Sequence, residues 1–229
     1  MKENILIADV DKSLAKELEY SLEQEDYSID KVYSGRSIFE RLNKKNYDLV
    51  ILELEMPDIN GLEICRRVRA YSLVPIFIVS TNNEDINKIL AFEYGADDYL
   101  VKPFNILELK GRIRTILRRV NHDNKKNTNH IFKIKNFIIN SLRRKITIDN
   151  KDIRLTSKEF DLFYVLSSNP GKVFTREELL DKVWGYAHHG DVRTVDVHVR
   201  RIREKIEKNA KDTQYIMTKW GVGYYFNNI

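Results

Sequence analysis

Four short apolar runs in the first half of the chain each end in a residue able to do chemistry. Ile5-Leu6-Ile7-Ala8 ends in Asp9-Val10-Asp11, and Leu49-Val50-Ile51-Leu52 ends in Glu53. The run from Pro75 to Val79 ends in Ser80-Thr81, and the run from Asp98 to Val101 ends in Lys102-Pro103. Short unbroken apolar runs mark strands covered on both faces. In an open α/β sheet the crevice for chemistry lies outside the carboxyl ends of the strands. Asp9 and Asp11, Glu53, Ser80 and Lys102 are therefore expected to share one pocket of carboxylates, a hydroxyl and an ammonium. The plainer reading, capping and turn residues of the kind common after strands, is disfavoured by their order and spacing.

A second constellation lies between residues 191 and 208. At about 100° per residue, Val195, Val199, Ile202 and Ile206 form one apolar stripe. Arg193, Asp196, Val197, Arg200, Arg201 and Glu204 fall on the opposite face, with His198, Arg203 and Lys205 at its flanks. An apolar back with arginines in front suits a DNA major groove, where Arg grips phosphate or reads guanine edges. Arg201 is placed to reach a base and Arg193 a phosphate. The alternative is an ordinary basic surface helix. Thr218, Lys219 and Trp220 of a following hairpin favour DNA. The adjacent His188 and His189 read as loop surface, so no metal and no other cofactor is expected.

The first set of groups requires a sheet of alternating strands and helices. After the first strand, a helix from about Ser13 to Glu25 carries Leu14, Leu18 and Leu22 on one face. Tyr27 to Val32 is a weaker strand, and Arg36 to Lys44 a helix. Pro57 and Asn60-Gly61 turn the chain after Glu53 into a helix from Leu62 to Ala70. A helix from Asn87 to Tyr94 is closed by Gly95. The last helix runs from Ile106 to Val120. Five strands alternating with five helices predict an α/β domain with a parallel doubly wound sheet.

Asn121 to Asn129 is polar and patternless and reads as a linker. From Ile131 to Ile148 apolar and polar residues alternate, which predicts a small antiparallel sheet. Thr156 and Glu159 fit a capping box at the start of a helix, and Thr175-Arg176-Glu177-Glu178 starts another. A third helix runs from about Asp191 to Lys208. Ile216 to Phe226, interrupted at Gly221 and Gly223, is a terminal hairpin. The organisation is a domain over 1–120, a linker over 121–129 and an α+β domain over 130–229.

Residues 1–120 carry 18 basic and 21 acidic side chains, a net of −3, and residues 121–229 carry 21 and 13, a net of +8. Only the second half has the charge of a polyanion binder. With 42% hydrophobic and 32% charged residues the chain is expected to be soluble and globular. No apolar run is near the length of a membrane span, and Met-Lys-Glu-Asn is not the start of a signal peptide. One cysteine, Cys65, allows no internal disulfide; it reads as a buried small hydrophobe in a cytoplasmic protein.

Three motifs of the first half, Met56-Pro57-Asp58-Ile59-Asn60-Gly61-Leu62-Glu63, Gly95-Ala96-Asp97-Asp98-Tyr99-Leu100 and Lys102-Pro103-Phe104, make it resemble a response-regulator receiver domain. The resemblance implies a phosphoacceptor at position 53, a Mg²⁺-binding acidic pair after strand one, and phosphoryl contacts from Ser80 and Lys102. It implies that Tyr99 reports the state of the pocket. It also implies a symmetric dimer face from Lys88, Asp97, Asp98, Glu108, Arg112 and Arg119. Two positions depart from the family. Glu53 stands where it has Asp, and Val10 replaces the second acid of the pair. Asp11 lies one place further on and is expected to point away from the pocket if the strand continues.

Residues 130–229 resemble the winged-helix DNA-binding domain of OmpR/PhoB-type transcription factors. Leu155-Thr156-Ser157-Lys158-Glu159-Phe160, Arg193-Thr194-Val195-Asp196-Val197-His198-Val199 and Gly221-Val222-Gly223-Tyr224 carry the match. DNA contacts are then expected from Arg193, Thr194, Val197, Arg200, Arg201, Arg203, Thr218 and Lys219, with Trp220 where many members have Arg. The implied partners are promoter double-stranded DNA, a second copy through the receiver, and RNA polymerase. The altered pocket argues against a cognate histidine kinase. The chain thus reads as a non-enzymatic DNA-binding regulator working without aspartyl phosphorylation, with Glu53 a stand-in for the phosphorylated state or simply inert. The alternative is a phosphorylation-switched regulator with residual Mg²⁺-dependent phosphoryl transfer.

Overall fold

A computed structural model describes residues 2–121, 131–141, 143–185, 192–209 and 212–228, with side chains omitted for 118–121. The chain divides into two compact units, one ending at Leu117 and one starting at Arg118.

The N-terminal unit alternates β1 (Asn4–Ala8), α1 (Lys12–Glu23), β2 (Ser28–Val32), α2 (Gly35–Lys44), β3 (Leu49–Leu52), α3 (Gly61–Arg69), β4 (Ile76–Ser80), α4 (Asp85–Glu93), β5 (Asp98–Val101) and α5 (Ile106–Asn121). All five strands are parallel, in the order β2-β1-β3-β4-β5. The three inner strands are buried nearly throughout, as their unbroken apolar runs require. The order reverses between β1 and β3, and a crevice opens at such a switch point. Ala8 lies opposite Leu52, so the residues that follow, Asp9 and Glu53, emerge side by side.

Asp11 begins α1, because its carboxylate accepts from the backbone N–H of Ser13 at 2.8 Å and of Leu14 at 3.1 Å. The continued strand on which the expectation for Asp11 rested is absent, since β1 ends at Ala8, and the carboxylate is used as a helix cap instead of a pocket ligand. α5 continues through Asn121, the first residue assigned to the linker; the rest of that linker lies outside the described residues.

The C-terminal unit opens on an antiparallel sheet, β6 (Ile131–Ile134), β7 (Phe137–Asn140), β8 (Lys145–Ile148) and β9 (Lys151–Ile153). α6 (Ser157–Ser167), β10 (Phe174–Thr175), α7 (Arg176–Trp184) and α8 (Arg193–Ile206) follow, then β11 (Ile216–Lys219) and β12 (Gly223–Phe226). β12 lies between β10 and β11 in a second sheet. The short strands β9 and β10 are absent from the sequence reading, since three and two residues are too few to show alternation. Both expected capping boxes are present, Thr156 with Glu159 on α6 and Thr175 with Glu178 on α7. Val195, Val199, Ile202 and Ile206 bury the back of α8 in the same core as Phe160, Phe163, Leu179 and Phe226. Lys158 is buried whole and donates to the carbonyl of Val183 at 2.8 Å, placing a cation at the end of α7.

Candidate functional site

Two sites carry charge in an arrangement that the folds alone do not require. The first is the crevice of the N-terminal unit. Lys102, from the turn after β5, reaches between the two carboxylates. Its Nζ donates to Asp9 Oδ2 at 2.7 Å and to Glu53 Oε2 at 2.7 Å. Ser80, the last residue of β4, donates its hydroxyl to Glu53 Oε1. The same oxygen accepts from the backbone N–H of Leu54 at 2.7 Å and of Glu55 at 3.3 Å. Burial alone would push the Lys102 ammonium down, but its hydrogen bonds to Asp9 and Glu53 outweigh that and hold it above its ordinary value.

The loop after β3 is built to close over Glu53. The Gly61 N–H donates to the Leu54 carbonyl at 2.8 Å. A Cβ on Gly61 would lie 2.6 Å from Leu54 Cα and 2.7 Å from the Glu53 carbonyl oxygen, so no other residue fits. Asp58 ties the same loop to α2, accepting from the N–H of Gly35 at 2.6 Å and of Arg36 at 3.0 Å. Those backbone donors, Arg36 first, hold the Asp58 carboxyl below the usual range. Tyr99 is buried and donates to the carbonyl of Asn82 at 2.6 Å, and burial pushes its hydroxyl up to about 12. Beside Asp9, Val10 stands 44% exposed. Mg²⁺ needs near-octahedral oxygen coordination. Val10 supplies no oxygen, and both carboxylates are already joined to Lys102, so this donor set does not fit the ion.

The second site is the front of α8. Arg193 and Arg200 are exposed on it, and so is Lys219 at the end of β11. Arg203 is drawn sideways and donates to the carbonyl of Ile216 at 2.8 Å and to Thr218 Oγ1 at 2.8 Å, which fastens α8 to the hairpin. Asp196 Oδ1 accepts from Arg176 Nε at 2.7 Å and from the Tyr224 hydroxyl at 2.7 Å. The guanidinium carbons of Arg176 and Arg203 lie 5.2 and 5.5 Å from the centre of the Tyr224 ring. Burial, then the bond to Asp196, push that phenol up to about 12. One network thus holds the start of α7, α8 and β12 together.

Residues 5–114 match the response regulator receiver domain, and residues 149–226 match the C-terminal domain of transcriptional regulatory proteins. The chain is 31% identical to the response regulator DrrB, an OmpR/PhoB homologue of Thermotoga maritima, over 99% of this chain and 100% of that one, with a TM-score of 0.53. The chain belongs to the OmpR/PhoB-type response regulators. Its regulator fold is also similar to a cysteine-to-aspartate mutant of RitR, at 28% identity, 99% coverage of both chains and a TM-score of 0.76. Its receiver half is 35% identical to a two-component response regulator of Clostridium difficile, covering 52% of this chain and 99% of that one, with a TM-score of 0.51.

Several residues of this regulator stand differently from the sequence expectation. Arg201 does not face outward. Its Nε donates to Glu159 Oε1 at 2.8 Å, and Lys205 pairs with the other oxygen at 2.5 Å. Glu159 is fully buried, which alone would raise its pKa. Lys205 and Arg201 overcome that and bring it to about 2. Thr194 and Val197 are buried rather than offered to solvent.

On the receiver, Asp97, Asp98 and Arg112 are also buried instead of lining an exposed face. Asp97 accepts from Arg69 at 2.8 Å and from the Ile76 N–H at 3.0 Å. Arg112 donates to Asp98 at 3.0 Å and to Glu108 at 2.7 Å. Lys88 pairs with Asp85 at 3.5 Å. The Arg119 side chain, His188 and His189 lie outside the described residues. Sequence reasoning missed Arg176 and Tyr224 as partners of Asp196, and Glu159 as more than a cap. One signal existed: Arg201 and Lys205, four apart on one helix flank, invite a shared anion.

Among the described residues no helix is long and apolar enough to cross a membrane.

Proposed function

We propose that this OmpR/PhoB-type regulator binds promoter DNA in the cytoplasm and acts as a transcription factor rather than an enzyme, without phosphorylation of its receiver. One observation carries this reading: Lys102 bridges Asp9 and Glu53, and Ser80 closes on the same Glu53 carboxylate. The groups that would receive a phosphoryl group are engaged from within the chain. Phosphoryl transfer depends on positioning and charge neutralisation, and a displacement of about 1 Å can cost on the order of 10²-fold. Glu53 places its carboxylate one methylene further out than Asp. Val10 withholds a ligand from the metal that would neutralise the incoming group. The hydroxyl, ammonium and backbone N–H groups that would grip a phosphoryl group grip Glu53 itself.

Exposed Arg193, Arg200 and Lys219 and the +8 charge of residues 121–229 support DNA as the ligand of the second half. A second copy docking through the receiver, and RNA polymerase at the promoter, are the protein partners this reading includes. No cognate kinase is required.

The test is incubation of the full chain with acetyl phosphate and Mg²⁺, read by mass spectrometry and by DNA binding. No adduct and unchanged affinity are expected. An adduct accompanied by tighter DNA binding would overturn the reading in favour of a conventional switch. Glu53→Asp alone is expected to stay unphosphorylated, since Val10 still lacks an oxygen, whereas Val10→Asp with Glu53→Asp restores the donor set. Loss of DNA binding in Glu53→Ala marks Glu53 as a built-in substitute for the phosphoryl group. Unchanged binding marks the receiver as inert.

A further inference from the structure

The sheet of β6 to β9 carries charge that the front of α8 leaves unexplained. Residues 131–154 contain seven basic and two acidic side chains, a net of +5 out of the +8 of residues 121–229. Two of the seven are spent within the unit. Arg144 pairs with Asp161 at 2.7 Å, and the Lys135 ammonium lies 5.5 Å from the centre of the Tyr215 ring. The other five, Lys133, Arg143, Lys145, Lys151 and Arg154, are exposed, and none has an ion-pair partner among the described residues. The receiver uses surface cations otherwise: Arg66 and Arg67 share Glu63, and Lys110 and Arg114 share Glu25.

Alternation along the strands decides which way these groups point. Phe132, Ile134, Ile146, Ile148 and Ile153 pack on the core, so Lys133, Lys145 and Asp152 project from the other face. Lys133 lies opposite Ile138, and Ile138 opposite Thr147. That register sets Lys133 and Lys145 about 12 Å apart across three strands. Arg143 sits in the turn leading into Lys145, and Arg154 follows Ile153 at the far edge. The back of α8 buries Val195 and Val199 in the same core. The cationic face and the front of α8 therefore look out from one core on different sides.

We propose that the outer face of this sheet binds a second DNA duplex, so that one C-terminal unit joins two DNA segments. This rests on the DNA-binding reading above and adds to it a second contact that is blind to sequence. Lysine and arginine set against phosphates release counterions whatever the bases are. Cations already held by carboxylates would have to give those up first, and the five on this sheet do not. A protein partner fits the face less well, because charged residues, lysine among them, are depleted at the centre of protein interfaces. The duplex held by α8 fits less well too. DNA is stiff over about 150 base pairs, so it does not turn back within one site to reach the other side of the unit.

The experiment uses the full chain, a bead-bound duplex that the chain has selected from a random library, and a labelled free duplex of unrelated sequence. The parent carries the labelled duplex onto the beads, and capture falls steeply between about 50 and 200 mM salt. Lys133→Ala, Arg143→Ala, Lys145→Ala and Arg154→Ala combined leave affinity for the selected duplex within about twofold and cut capture by about tenfold or more. Lys133→Arg with Lys145→Arg keeps the charge and keeps capture. Equal capture by the alanine variant would overturn the proposal, since two copies joined through their receivers could also hold two duplexes on two α8 helices. No capture by the parent would overturn it as well. Loss of self-association in the alanine variant, measured by ultracentrifugation without DNA, would assign the sheet to a second copy and also overturn it. Failure of the parent to enrich any duplex from the library would overturn DNA binding itself.

Discussion

Glu53 and Glu159 are the two carboxylates on which each unit depends, and both are satisfied by cations from distant sequence. Removing one partner of a buried pair strands the other charge, at about 3–5 kcal/mol. Lys102 keeps Asp9 when Glu53 is lost, so Glu53→Ala is expected at the low end of that range, measured by thermal unfolding of the receiver transition. Glu159 makes a pH prediction. Its pKa is depressed in the folded state, so its stabilisation is complete above the ordinary carboxylate range near 4.5 and is lost as pH falls towards about 2. The acid limb of the C-terminal unfolding transition should steepen over that window, and Glu159→Gln should flatten it. At this scale the pocket was legible because strand ends announce themselves. The pairing of Glu159 was not, because its partners lie 42 and 46 residues further on.

The helix α8 shows how far periodicity reaches. The apolar stripe marks its back correctly, since burial follows the 3.6-residue period. The front could not be resolved the same way, because a long side chain chooses its direction by what it meets. Arg201 turns back to Glu159, Arg203 to the hairpin, and Arg193 and Arg200 remain outside. Arg201→Ala should therefore lower the stability of the C-terminal unit by about 3 kcal/mol and weaken all duplexes alike, rather than erase preference at one base. Denaturant unfolding read beside DNA binding separates the two effects. In the receiver, the charges expected on a dimer face pass for surface in the sequence because burial of a charge leaves no mark there; Asp97 is fully enclosed with Arg69. Gly61→Ala should destabilise the receiver by more than about 2 kcal/mol, since the clash is with backbone and cannot relax cheaply.

Over the whole molecule, charge is divided between the units, −3 in residues 1–120 and +8 in residues 121–229. This division was plain in the sequence and needs no structure. DNA affinity should fall steeply with salt, and Arg200→Ala or Lys219→Ala should each reduce the salt slope by about one, across all sequences. Affinities measured from about 50 to 200 mM salt check it. The two architectures were legible from the alternation of elements and from the capping boxes. The junction was less so, because α5 carries helical pattern past the point where the receiver core ends at Leu117.

The bridge of Lys102 to Glu53 also bears on time. A phosphoryl group on a carboxylate is an acyl phosphate, and water removes it; its lifetime is the memory of the signal. The Glu53 carboxylate is joined to its own chain by carbon–carbon bonds and does not decay. If Glu53→Ala abolishes DNA binding and so marks Glu53 as the proposed substitute, the output of this regulator lasts as long as the polypeptide does, with no decaying phosphoryl group to time it.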